Sequence, residues 1–152
     1  MLYTIGYDHM TPDRLAYVMQ ALRLDIILDC RSVPSSRRPG FNLNQLATRF
    51  GRSYAWMGAT LGGRGSGPTA EGISRLSTLD LNHVRPVLLC KEEAPGDCHR
   101  HRTIALPLLR RFGVDCAHIF REQLVTASEL QRAIDADDDY EFTTWESIAV
   151  AG

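Results

Sequence analysis

The chain has 152 residues, 44% hydrophobic and 23% charged, with a formal net charge of −1. That size and composition suit one folded domain with its own core and exclude a chain disordered throughout. The longest apolar runs, such as Ile26-Ile27-Leu28 and Val87-Leu88-Leu89-Cys90, are far short of the ~18 residues of a membrane span. The opening MLYTIGYDHM carries no basic and long apolar leader, so a cytoplasmic protein with no membrane partner is expected.

Residues 2–5, LYTI, read as a short buried strand stopped by Gly6. Thr11 is a helix N-cap with Pro12 at the first helical position, and Leu15, Val18, Met19 and Leu22 follow at helical spacing. Residues 25–30, DIILDC, are apolar through their middle, as a parallel strand covered on both faces would be. The turn-rich stretch RSVPSSRRPGFN (31–42) leads to a short helix capped by Asn42 or Asn44, with Leu46 and Phe50 on its apolar face. Residues 53–57 read as a third strand, and LGGRGSGPTAEG (61–72) as a mobile glycine loop that lacks the G-x-G-x-x-G fingerprint. A weak helix near 73–81 precedes a fourth strand, PVLLC (86–90). Asp97 is a candidate N-cap for a helix over 98–112 that Pro107 kinks and Gly113 stops. A fifth strand over 114–120, a helix from Ser128 to about Ala136 and a solvated acidic turn, DADDDYE (135–141), complete the pattern.

Alternation of strands and helices predicts one α/β domain over 1–152, with a core over 1–120 and an acidic segment over 121–152. The expected architecture has three layers: a mostly parallel five-stranded sheet with helices on both faces, in the Rossmann or flavodoxin manner. Ligands of such sheets sit beyond the carboxyl ends of the strands, near a topological switch point. The segments leaving those ends are Gly6-Tyr7-Asp8-His9, Cys30-Arg31-Ser32 and Cys90-Lys91-Glu92.

The small net charge conceals an uneven distribution. Residues 31–70 hold six arginines (Arg31, Arg37, Arg38, Arg49, Arg52 and Arg64) and no acid, whereas residues 121–152 hold eight acids and two arginines. Lys91 is the only lysine among 17 basic residues, so a Gly-Lys-Ser/Thr phosphate loop is excluded. The four cysteines (Cys30, Cys90, Cys98 and Cys116) form no C-x-x-C pair, which argues against a zinc ribbon or a dithiol redox motif. Reduced thiols are expected.

The stretch LLCKEEAPGDCHRHR (88–102) concentrates the chemistry. Cys98, in the first turn of the expected helix and beside His99 and Arg100, is a candidate nucleophile of lowered pKa. Its alternative is a buried inert thiol, as is that of Cys90. His99 is a candidate proton carrier, with Glu92 as its carboxylate partner. Arg31, Arg37, Arg38 and Arg100, with Ser36 and Tyr7, are candidates to hold an anion; otherwise the 31–42 stretch is solvated surface. Tyr54 and Trp56 either stack on a base or belong to the strand core. Cys90, Cys98, His99 and His118 are conceivable metal ligands, but no metal or cofactor is expected, because the spacing of Cys90 and Cys98 is not a common structural zinc spacing.

These motifs resemble the domain-of-unknown-function family 488, a bacterial and archaeal group of small α/β proteins. The matching stretches are YTIGY (3–7), LDCRSVPSSRRPGFN (28–42), YAWMGATLGGR (54–64), LLCKEEAPGDCHR (88–100) and AHI (117–119). The hallmark is a Cys-x-Glu followed by Cys-His-Arg, here Cys90, Glu92, Cys98, His99 and Arg100, joined with Asp29, Arg31, Pro34, Ser36, Arg37 and Arg38. Many members begin TIGHS where this chain reads TIGYD. Members are often labelled nucleic-acid or repair related, and the resemblance carries that expectation with it. Three readings follow. The first is an enzyme acting on an anionic, phosphate-bearing substrate, a nucleotide or nucleic acid, through Cys98, His99, Glu92 and Cys90. The second is a non-catalytic nucleic-acid-binding domain, and the third a thiol redox or metal-sensing protein.

Overall fold

A computed structural model describes residues 1–136 and, as backbone, residues 143–144. Most of the expected acidic turn and the end of the chain lie outside the described residues. Five parallel strands form the sheet's body: β1 (Tyr3–Gly6), β2 (Ile26–Asp29), β3 (Tyr54–Trp56), β4 (Pro86–Cys90) and β5 (Ala117–Phe120). Two further strands extend it antiparallel beside β5: β6 (Gln123–Thr126) and the short β7 (Thr143–Thr144). The order is β3-β2-β4-β1-β5-β6-β7.

The expected three-layer α/β architecture is found, with seven strands instead of five. The additional β6 pairs through a two-residue turn, Arg121-Glu122, in which Arg121 takes a positive φ of 58°. No glycine or asparagine marks that turn in the sequence, so the hairpin had no local signal. The strand order also departs from both common doubly wound arrangements, because β4 inserts between β1 and β2.

The first helix, α1 (Pro12–Ala21), starts as the sequence dictates: Thr11 accepts the Arg14 amide and Pro12 occupies the first turn. Asn42 and Gln45 form a capping box on α2 (Leu43–Phe50). Both helices cover one sheet face, where Leu15, Val18, Phe41 and Leu46 pack on Tyr3, Ile5, Ile27, Val87 and Leu89. The opposite face takes α3 (Gly58–Leu61), α4 (Ala70–Leu81) and α5 (Leu106–Phe112), with Leu61, Ile73, Leu76 and Leu108 packing on Leu2, Leu28 and Leu88. Alternate residues of each strand thus serve opposite cores. Part of the expected glycine loop is helical, since Thr69 caps α4 by accepting the Gly72 amide. The last helix, α6 (Ala127–Ala136), follows β6 directly.

Two corrections concern the region after β4. Asp97 belongs to a short 3₁₀ turn, Pro95–Asp97, and Cys98 is extended (φ −117°, ψ 147°) instead of helical. The helix begins at Arg100, is π-helical over Arg100–Ala105, and becomes α-helical only at Leu106. Pro107, which has no amide to donate, lies just past that change of winding. Gly113 ends α5 in the left-handed conformation (φ 68°), as its position predicted.

A buried polar relay links this helix to the sheet. Gln131 Oε1 lies 3.0 Å from His101 Nε2, His101 Nδ1 lies 3.0 Å from His118 Nε2, and His118 Nδ1 lies 2.6 Å from Thr4 Oγ1. With the amide oxygen as acceptor, each neutral ring donates through Nε2 and accepts at Nδ1, so one proton occupies each link. Burial lowers the pKa of both histidines; for His118 the charges of Arg100 and His101 add to it. A neutral folded state facing a protonated unfolded state loses stability as pH falls. The contribution is therefore complete above about pH 6.5 and declines below it, by at most about 1.4 kcal/mol per pH unit for each histidine. Urea unfolding at pH 7.5, 6.5, 5.5 and 5.0 is expected to show a midpoint falling over the last three values. The double variant His101→Gln, His118→Gln, less stable at pH 7.5, is expected to lose less over that range.

Candidate functional site

Connections leaving β1 and β2 run on one face of the sheet, whereas the connection leaving β4, between them, runs on the other. This divergence opens a crevice at the carboxyl edge. It holds a cavity of about 470 Å³ lined by Tyr7, Arg31, Ser32, Ser35, Arg64, Cys90, Glu92 and His99, among others. The ladder continues past the strand ends to shape it. The Tyr7 amide donates to Cys90 O at 3.0 Å, Asp8 to Lys91 O at 2.9 Å and Cys30 to Leu89 O at 3.0 Å. Gly6 is required here, because a Cβ would overlap the Glu92 carbonyl.

Arg31 is anchored by Asp29, two residues before it at the end of β2. Its Nε and Nη2 donate to the two carboxylate oxygens at 2.8 and 2.7 Å, in a bidentate pair that is almost fully buried. Tyr54 on β3 donates to Asp29 Oδ2 at 2.6 Å. The guanidinium lies 5.0 Å from the centre of the Tyr7 ring, itself stacked on Phe41 at 4.6 Å. Burial opposes the charge on Arg31, but the hydrogen bonds and charge of Asp29 prevail, so the guanidinium stays protonated. Its remaining amino group, Nη1, is buried on a cavity-lining residue and has no acceptor among the described residues.

Three thiols and one imidazole meet on the other side, where Cys90 and His99 line the cavity and Cys30 and Cys98 are buried without lining it. Cys30 Sγ lies 3.4 Å from Cys90 Sγ, and His99 Nδ1 lies 3.6 Å from Cys90 Sγ and 3.8 Å from Cys98 Sγ. His99 Nε2 is 3.1 Å from the Leu61 carbonyl. A carbonyl only accepts, so Nε2 carries a proton and Nδ1 faces the sulfurs. Hydrogen bonding to Cys90 and then Cys98 raises the His99 pKa against the effect of burial, which makes its ring a strong acceptor for a thiol proton. The Cys90 thiol is pushed up first by its hydrogen bond with Cys30, while Cys98 and His99 pull it down. Hydrogen bonding to Cys90, then burial, raises the Cys98 thiol further. Sulfurs this close share their ionisation, since a second thiolate beside the first is disfavoured. Gly63 leaves room for the imidazole, as a Cβ there would come within 2.8 Å of His99 Cγ.

The structure brings Tyr7, Arg31, Cys90, Glu92 and His99 to one cavity, and separates the other candidates from it. Cys98 is buried behind His99 and lines no part of the cavity; extended backbone removes the helix-start field that was to lower its pKa. Arg100 is fully buried and spends its amino groups on the carbonyls of Glu92 and Glu93, so it fixes the loop after β4 instead of clamping an anion. Glu92 does not orient His99, whose partners are the sulfurs and Leu61. Ser36, Arg37 and Arg38 line a neighbouring cavity of about 700 Å³ with Asn42 and Lys91. There Arg38 Nε donates to Met10 O, and Ser36 Oγ accepts the Arg38 amide at 3.0 Å. Tyr54 and Trp56 line neither cavity and instead hold Asp29 and the Arg31 carbonyl.

Sequence reasoning passed over Asp29 as the anchor of Arg31, and over Leu61 and Gly63 as the supports of His99. The Asp-x-Arg spacing was a usable signal for the first, since it brings a carboxylate and a guanidinium together at one strand end. Nothing local signalled the second, because 38 residues separate Leu61 from His99. Comparison of the chain with protein-family models, curated proteins and solved structures returned no match.

Removing one member of a buried ion pair strands the other in a poorly solvating environment. Asp29→Asn is expected to cost about 3–5 kcal/mol in urea unfolding. Tyr54→Phe, which removes one hydrogen bond to a charged acceptor, is expected to cost about 1.5–3 kcal/mol.

Proposed function

We propose that the protein is an enzyme acting on an anionic, phosphate-bearing substrate, with the cavity between the ends of β1, β2 and β4 as its active site. One observation carries the reading: the guanidinium of Arg31, a residue that lines the cavity with Cys90 and His99, is fixed by Asp29 through Nε and Nη2 and leaves Nη1 without an acceptor among the described residues. A buried donor without an acceptor is unfavourable unless a ligand supplies one. The hydroxyls of Ser32 and Ser35 and the cations Arg64 and Lys91 surround the same space. Its volume falls within the range of small-molecule sites, about 300–1,000 Å³, which favours a nucleotide-sized ligand. The motif resemblance to family 488 agrees with this reading and is part of the proposal.

In this reading Cys90, not Cys98, is the nucleophile. Its sulfur bonds to the electrophilic centre of the substrate while the thiol proton passes to His99 Nδ1, held in position by Leu61. The leaving group departs with the bonding electrons and takes that proton back. Arg31 holds the anionic group throughout, and Arg37 and Arg38 extend the positive surface toward a second phosphate.

Paired alkylating agents test both parts. Iodoacetate, an anion, reacts more slowly than neutral iodoacetamide with a free thiol. At Cys90 the order is expected to reverse, with inorganic phosphate slowing the modification and Arg31→Lys abolishing both effects. Peptide mass spectrometry identifies the modified residue. Slower reaction with iodoacetate and no protection by phosphate would falsify the reading. A nucleic-acid ligand would instead show a steep salt dependence that falls by about two contacts in the Arg37→Ala, Arg38→Ala double variant.

A further inference from the structure

The geometry points to a second capacity of the same wall: Cys30, Cys90, Cys98 and His99 form a binding site for a thiophilic divalent cation, Zn²⁺ by preference. Zinc bound to sulfur at about 2.3 Å and to nitrogen at about 2.0–2.1 Å, in a tetrahedron, sets ligand separations of about 3.8 Å between sulfurs and about 3.6 Å between sulfur and nitrogen. The separations found are 3.4 Å for Cys30 and Cys90, 3.6 Å for Cys90 and His99 Nδ1, and 3.8 Å for Cys98 and His99 Nδ1. Cys30, Cys90 and His99 present their ligand atoms within 4.8 Å of one another, and so do Cys90, Cys98 and Glu92. The Cys30–Cys90 and Cys90–His99 separations lie within about 0.4 Å of those a metal's coordination shell sets, and the Cys30 sulfur and the His99 nitrogen lie within 4.8 Å of each other.

Three further observations point the same way. The Leu61 carbonyl holds the proton of His99 on Nε2 and turns Nδ1 toward the sulfurs, as the outer partner of a metal-bound imidazole does. The ligands sit on rigid elements, since Cys90 ends β4, Cys30 directly follows the neighbouring parallel β2 with its amide on Leu89 O, and both lie in the core. Access exists, because Cys90 and His99 line the open cavity. Thiolate with imidazole suits zinc over the hard cations, which take oxygen ligands. Spacing along the chain did not single out this set, in which Cys30 stands where the sequence offered His118, because its ligands come from just after β2, from β4 and from the turn before the π-helix.

This inference does not rest on the catalytic reading, but it constrains it. An ion here occupies the Cys90 sulfur and the His99 lone pair together, so the metal-loaded protein has no nucleophile. Binding releases the thiol protons of the three cysteines and leaves a site of net charge −1.

Cobalt(II) is the spectroscopic probe. The full chain, reduced and freed of metal with a chelator, is titrated with Co²⁺ and then with Zn²⁺. One equivalent of Co²⁺ is expected to give the intense visible bands of a tetrahedral site and a near-ultraviolet thiolate-to-metal band, both removed by one equivalent of Zn²⁺. Cys90→Ser and His99→Gln are each expected to weaken Zn²⁺ at least about tenfold against a chromophoric chelator. Cys116→Ser is the control, since that thiol is buried and lies outside the cluster; it should bind Zn²⁺ like the parent chain. Absence of the thiolate band, or unchanged affinity in folded Cys90→Ser, would overturn the site. Failure of phosphate to protect Cys90 would leave these spectra untouched, so the two proposals fail separately.

Discussion

Insertion of β4 between β1 and β2 is the constraint on which the site depends. Every residue of β4 is buried, and it pairs in register with both neighbours, so its carboxyl end is fixed to theirs. The chain leaves β1 and β2 toward one face and β4 toward the other. Side chains that follow the three strands must then border a common gap. Gly6 permits the β4 loop to cross close over β1, and the buried guanidinium of Arg100 holds that loop by its carbonyls. An arginine that the motif suggests for ligand binding serves the backbone instead, because the Glu92 and Glu93 carbonyls take its two amino groups as donors.

Two kinds of buried polarity coexist in the molecule. The relay of Thr4, His118, His101 and Gln131 is satisfied at each link, and its rings are kept neutral by burial. Such a network fixes the packing of the π-helix and α6 against the sheet and offers a ligand nothing. The Asp29 and Arg31 pair is satisfied on one side only. Burying that pair costs desolvation free energy that a hydrophobic pair would not, and the open amino group adds to it. Arg100 Nε also has no partner among the described residues, but Arg100 lines neither cavity; incomplete satisfaction on a cavity-lining residue is what marks Arg31 as the binding group.

The thiol wall follows the same logic. Cys30 and Cys90 occupy equivalent positions at the ends of adjacent strands, facing the core beneath α3 and α4. Sulfur tolerates that environment as a small apolar group would. The imidazole changes its character, because His99, aimed by Leu61, presents one nitrogen to two sulfurs. Proton transfer and metal ligation are alternative uses of that one lone pair, which makes the state of His99 the switch between them.

The sequence by itself determined the local structure and the edge of the sheet that matters. Thr11 and Pro12, the capping box of Asn42 and Gln45, Gly113 and the alternating apolar strands act through neighbours a few residues away, so they are legible in a single chain. The rule that parallel sheets bind ligands beyond their carboxyl ends then selected Tyr7, Arg31, Cys90 and Glu92, and motif position added His99. Tertiary structure decided which of these residues face a ligand. Cys98 and Arg100 looked equivalent to Cys90 and Arg31 because types and spacing are the same before folding; burial behind His99 and beneath the β4 loop sets them apart. Cys30, Leu61 and Gly63 join the site from as far as 69 residues away from His99 along the chain. No local pattern encodes such contacts, because strand order and register, not sequence separation, set the distances between them.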